Sequence, residues 1–163
     1  MQTQLGISGA LGEFVEHLPN FSSLISVAER EEALAEASAN VHVYGEVGHD
    51  VVLERMRSSH VLLFPTRHRE GFPNVVCEAM ALGLAVVSTA VGAIPEMVES
   101  ERGGFILEPV PEVLAQALAR LAGDDGLRVS MGRFNADKAR RLYTYDRVVE
   151  RLVELYEAGS SGR

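Results

Sequence analysis

Two short runs, residues 60–64 (HVLLF) and 84–88 (LAVVS), are apolar at nearly every position. A strand with one wet face alternates apolar and polar residues, so runs of this kind belong to strands covered on both faces. That restricts the chain to a parallel sheet between two layers of helix, because parallel strands need long crossover connections. The remaining segments meet the requirement. Residues 24–27 (LISV) and 41–44 (VHVY) read as further strands, and 105–107 as a short last one. Helical patterns fill the intervals. They cover 29–39, a segment that Asp50 can cap with Val52, Leu53 and Met56 on one face, and 73–82, opened by Pro73 and ended by Gly83. A turn over 94–98 opened by Pro95 follows, then helices over 111–121, 126–141 and 146–156. In the last of these, Val148, Val149, Leu152, Val153 and Tyr156 recur at helical spacing.

There is no internal repeat and no linker. Residues 1–158 therefore read as one three-layer α/β domain with a Rossmann-like parallel sheet and a helical C-terminus, and 159–163 (GSSGR) as a disordered tail. A chain of 163 residues can bury a real core. Its net charge of −8 argues against broad nucleic-acid or anionic-membrane binding. Peripheral membrane association stays open. Cys77 is the one cysteine, so no intrachain disulfide forms and a reducing compartment fits. No apolar run approaches the ~18–20 residues of a spanning helix. The first residues, MQTQLGISGALG, lack the basic start of a signal peptide. The expected location is the cytoplasm.

The stretch 64–78, FPTRHREGFPNVVCE, carries the chemistry. A strand ends at Phe64, a loop follows, and a helix opens near Pro73. Ligands of open α/β sheets bind beyond the carboxyl ends of the strands, where this loop lies. A helix N-terminus offers free N–H groups and partial positive charge, which suits a phosphate. Gly71 lets the backbone approach a ligand with no side chain in the way. Glu70 and Glu78 are eight positions apart, one in the loop and one in the second helical turn. Carboxylates only accept hydrogen bonds and sugar hydroxyls donate them, so such a pair can grip two polyols. The alternative is that both merely satisfy the helix dipole. Glu78 speaks against it: flanked by Val75, Val76, Cys77, Ala79 and Met80, its carboxylate needs a partner. Arg67, His68 and Arg69 form a basic cluster beside the site. They either neutralise a diphosphate leaving group or belong to a solvated loop.

The segment EGFPNVVCEAMALGLAVVSTAVGAIPEMV resembles the signature of the group 1 retaining glycosyltransferases of the GT-B fold (family GT4). Around it, residues 41–47 (VHVYGEV) and 102–109 (RGGFILEP) are similar to other family segments, and the likeness spans roughly residues 40–157. The resemblance implies that Glu70 contacts the donor sugar near its reacting end and is the catalytic position. It implies that Glu78 binds the ribose hydroxyls of the nucleotide. Gly71, Phe72, Pro73 and Asn74 would form the turn whose backbone amides meet the sugar and the diphosphate. Tyr44, Gly45, Glu46 and Val47 would read the base, largely through the backbone. The substrate implied is a nucleotide-diphosphate sugar, with no cofactor, no metal and no protein nucleophile; the activity is retaining hexosyl transfer.

Three departures bear on that reading. Ala10 stands where the family has the Arg of a diphosphate-holding pair, and no Lys-Gly follows. Ala93 replaces the second Gly of the VGGIPE segment, a mild change. The acceptor-binding domain is not in this chain, so the expected partner is a separate acceptor domain or subunit. A non-catalytic nucleotide-sugar-binding domain and, more distantly, a sugar-nucleotide epimerase are the rival readings. Other motifs weigh little. Gly6, Gly9 and Gly12 do not have the dinucleotide spacing. His17, His42, His49, His60 and His68 show no metal-ligand spacing, Cys77 reads as a packed helical thiol, and the sequon at Asn20 is irrelevant in a cytosolic chain.

Overall fold

The computed structural model describes residues 23–25, 44, 47–69 and 71–160. In chain order these form β1 (Ser23–Ile25), α1 (His49–Arg57), β2 (Val61–Phe64), α2 (Asn74–Ala81), β3 (Ala85–Thr89), α3 (Ile94–Met97), β4 (Gly104–Leu107), α4 (Pro111–Gly123), α5 (Asp125–Leu142) and α6 (Tyr145–Ser160). The four strands form one sheet in the order β1-β2-β3-β4, every pair parallel. This is the three-layer Rossmann-like α/β fold that the apolar runs require.

Alternation along the strands divides the core in two. Val61, Leu63, Ala85, Val87 and Phe105 face one way, under Leu114, Leu118 and Leu121 of α4 and Met131 of α5. Leu62, Leu84 and Val86 face the other way, under Met56 of α1, Val76, Ala79 and Met80 of α2, Met97 of α3 and Ala139 of α5. Each of the larger side chains taken out of water contributes about 1.5–3 kcal/mol, which is why both faces of these strands are apolar.

Most boundaries fall within two residues of the sequence reading. α2 has Pro73 as its N-cap and ends on Gly83, whose φ of 78° is the left-handed conformation that glycine adopts cheaply. Leu84 N–H donates to the Ala79 carbonyl and Gly83 N–H to that of Met80, both at 3.0 Å, closing a Schellman motif. Gly132 of α5 lies directly on this turn: a Cβ there would sit 2.0 Å from the Gly83 carbonyl oxygen.

One expectation is corrected. Asp50 does not cap α1; Gly48 does, with no side-chain cap bond, and its carbonyl accepts from Val51 N–H at 3.1 Å and Val52 N–H at 3.2 Å. Asp50 instead occupies the first turn, where a carboxylate meets the positive end of the helix dipole, and glycine is an adequate cap. Of the first strand, read at 24–27, the described part lies in β1 (Ser23–Ile25), and residues 26 and 27 lie outside the described residues. α6 continues through Gly159 and Ser160, which the composition assigns to a tail. The expected helix over 29–39 lies outside the described residues, as does the strand over 41–44 apart from Tyr44. Among the described residues, no helix is long and apolar enough to cross a membrane.

Candidate functional site

Helices that precede or follow parallel strands point their N-termini at the carboxyl edge of the sheet. α1 runs back to β2 and α2 leaves it, so both helices open at that edge. The loop 65–73 between β2 and α2 is fixed at its root by two buried hydroxyls. Ser88 Oγ donates to the Phe64 carbonyl at 2.6 Å, and Thr89 Oγ1 donates to the carbonyl of Thr66. The Thr66 hydroxyl in turn accepts from His68 N–H at 3.1 Å. These bonds decide where the loop starts.

Of the basic cluster, Arg67, His68 and Arg69 are all exposed. Arg67 reaches across to donate from Nη2 to the Pro109 carbonyl at 3.3 Å, which ties the loop to the segment after β4. A guanidinium has five N–H donors, so this bond uses only part of its capacity. At the far end of the loop, Gly71 is exposed and a Cβ on it would meet nothing within 4 Å. Phe72 is half-exposed, with its ring edge-on to Tyr143 at 5.2 Å between centroids. Pro73 is buried at the N-cap, its carbonyl accepting from Val76 N–H at 3.1 Å and Cys77 N–H at 3.3 Å. Asn74 is exposed at the first position of α2, and the N-cap residue, Pro73, makes no side-chain cap bond. The turn 71–74 is thus an open, backbone-lined surface at a helix start.

Glu78 lies one turn deeper, with 27% of its side chain exposed. The partner demanded by its apolar surroundings is His49, the first residue of α1, whose Nε2 lies 2.8 Å from Glu78 Oε1. A search for metal-ligand spacing passes over His49, because its partner is a single carboxylate 29 positions away on another helix. Six residues along α1, the Arg55 guanidinium stacks on the exposed Tyr44 ring, 4.7 Å from its centroid. Val47 is exposed beside His49 in the chain. Gly45, Glu46 and Glu70 lie outside the described residues.

Two neighbours complete the electrostatics. Lys138 of α5 is buried and donates to the Glu96 carbonyl at 2.8 Å and to Glu99 Oε1 at 3.2 Å, anchoring α3 and the segment after it. The Lys138 hydrogen bond, with Arg102 adding positive charge, holds the Glu99 carboxyl below the usual range. Burial pushes the Cys77 thiol up, and the adjacent Glu78 carboxylate pushes it further the same way. A thiol so placed carries less thiolate at any given pH. Cys77 in the folded chain should therefore react with iodoacetamide at pH 8 several-fold more slowly than in urea; equal rates in a timed mass-spectrometric assay would refute this environment.

Two helix starts and a pinned carboxylate, gathered at the carboxyl edge of a parallel sheet, define a Rossmann-like domain with its ligand surface in the usual place for that class. A family model described as glycosyl transferases group 1 matches residues 14–124, and the chain belongs to that family. It is similar to the capsular polysaccharide biosynthesis glycosyltransferase CapM of Staphylococcus aureus, with 34% identity over 98 residues, covering 60% of this chain and 26% of that protein. The chain spans about a quarter of the length of the curated relatives it matches. Among solved structures, the C-terminal domain of the group 1 glycosyl transferase LpcC from Francisella tularensis matches 63% of this chain and 53% of its own, at 26% identity and a TM-score of 0.57. Anabaena HepE, solved in complex with UDP, matches 63% of this chain and 29% of its own, at 21% identity and a TM-score of 0.60. The fold and the sequence together identify a C-terminal domain of the group 1 family.

Proposed function

We propose that this chain is the donor-binding part of a glycosyltransferase that uses a nucleotide-diphosphate sugar. The observation that carries the reading is the half-buried Glu78 carboxylate, held at one oxygen by His49 and standing one turn inside a helix whose start is open. Its second oxygen is an acceptor for vicinal hydroxyls such as those of a ribose. The first-turn amides of α2 from Asn74 onward and the helix dipole suit the diphosphate. Membership of the family and the UDP held by HepE support a nucleotide donor.

In this reading Tyr44 to Val47 lie against the base, and Arg67 adds positive charge near the diphosphate. Glu70 is the catalytic position, close to the reacting carbon of the sugar. With retention of configuration, the leaving diphosphate lies beside the incoming hydroxyl and takes up its proton, so no side chain of this chain acts as a nucleophile. The acceptor and its binding domain come from elsewhere, and residues 1–158 form the donor unit.

Calorimetric titration with UDP-, GDP- and ADP-sugars tests this directly. One of them should bind at millimolar concentration or below; silence from all three would refute the proposal. Gly71 offers a sharper version. Its missing side chain faces open space, so Gly71→Ala costs the fold little, yet a methyl there enters the volume that the donor would fill. Melting temperature should move by less than ~2 °C while donor affinity falls at least about fivefold. Unchanged affinity would mean that the ligand does not approach this turn.

Ala10, where the family carries the Arg of its diphosphate pair, favours a second reading. The chain would then bind the donor without transferring the sugar, or would transfer it only with a complementary subunit. Donor binding without any turnover, even with an acceptor domain supplied, would select it.

A further inference from the structure

We infer that His49 is a positioning residue of the nucleoside subsite: it fixes the Glu78 carboxylate so that one oxygen is presented to the ribose. This rests on the donor-binding reading above. The pair joins two helices already packed through one core cluster, Met56 of α1 with Val76, Ala79 and Met80 of α2, so their register is set before the bond forms. His49 is the first residue of α1 and Glu78 is in the second turn of α2, and their 2.8 Å bond spans the carboxyl edge of the sheet.

Stability does not account for the contact. The His49 side chain is 66% exposed, and exposed ion pairs contribute little to folding because solvent screens them and ordering two side chains costs entropy. Orientation does account for it. A glutamate has three rotatable side-chain bonds, and an unanchored carboxylate loses that freedom when a ligand captures it. An imidazole N–H on Oε1 settles the rotamer in advance and leaves Oε2 as the acceptor. The same helix also carries Arg55, which fixes the Tyr44 ring. α1 thereby braces both the segment assigned to the base and the carboxylate assigned to the ribose.

A ligand-truncation cycle on the full chain tests this. Affinities of UDP, GDP and ADP, and of their 2′,3′-dideoxy counterparts, are measured for the wild-type chain, His49→Ala, His49→Gln and Glu78→Ala, with thermal melts alongside. For the ribonucleotide that binds, His49→Ala should weaken affinity about fivefold, and for its dideoxy form less than about twofold. His49→Gln, whose amide can still donate to Oε1, should recover most of the loss. Melting temperature should change by less than ~2 °C in both His49 variants. Equal losses for both ligands, no recovery with glutamine, or tighter binding by His49→Ala would overturn the inference; the last would mean that the imidazole competes with the ribose. If Glu78→Ala binds as well as wild type, or if no nucleotide binds, the donor-site reading itself has failed. If Glu78→Ala is impaired and His49→Ala is not, only the role of His49 has failed.

Discussion

Glu78→Ala should weaken binding of the nucleotide by roughly 10- to 150-fold and leave the chain folded. A hydrogen bond in which one partner is charged contributes about 1.5–3 kcal/mol, and the substitution removes the only carboxylate assigned to the ribose. The fold survives because Glu78 is not part of either core cluster, and its side-chain bond among the described residues goes to the exposed His49. Glu78→Gln separates charge from shape. Its amide fills the same space and keeps one neutral acceptor, so the loss should be smaller, nearer tenfold. Calorimetry with the preferred nucleotide, paired with circular dichroism, reads both quantities. Wild-type affinity in Glu78→Ala would remove the observation on which the proposed function rests.

The architecture was legible because its cause is local. Strands of four or five residues that are apolar at nearly every position admit few folds, and Pro73 and Gly83 bracket α2 as start and stop signals should. The site was legible only in part, for a physical reason. The composition of α2 showed that Glu78 must have a partner, but nothing along the chain says which of five histidines and fifteen basic residues supplies it. That choice is made by the packing of α1 beside α2, which no periodicity encodes. Arg67 shows the same limit. Its charge and place in the loop were evident, while its bond to Pro109, 42 positions on, depends on the path of the chain after β4. Asp50 shows a different limit: the cap of α1 falls two residues before it, at Gly48, so the carboxylate lies in the first turn.

Asn135 is marked by no motif or spacing, and its substitution should produce a larger loss of stability than Glu78→Ala, His49→Ala or Gly71→Ala. It lies in the middle of α5, where asparagine is a mediocre helix former, and that unfavourable placement was the available signal. The side chain is wholly buried, and its amide donates to the Leu84 carbonyl at 2.8 Å and to the Gly103 carbonyl at 2.6 Å. One amide thus ties α5 to the entrances of β3 and β4. Asn135→Ala leaves the Leu84 carbonyl without this donor and opens a cavity, which together cost about 2–4 kcal/mol. Asn135→Asp is nearly the same shape and should be worse at neutral pH. It replaces a double donor with an anion facing two carbonyl oxygens, and an uncompensated buried charge costs about 3–5 kcal/mol.

The two variants differ in pH dependence, which makes the account testable. Burial raises the folded-state pKa of the introduced aspartate above its unfolded value. The penalty for ionising it is therefore absent below the unfolded pKa of about 3.9, grows as pH rises, and is complete above the folded pKa. Relative to the wild type, Asn135→Asp should gain stability as pH falls from 7 towards 4, because a protonated carboxyl can donate one of the lost bonds. Asn135→Ala has no such group, so its deficit should stay constant over the same range. Urea melts at pH 7 and pH 5 decide it: parallel behaviour of the two variants would show that the amide at this position is not holding the strand entrances by donation.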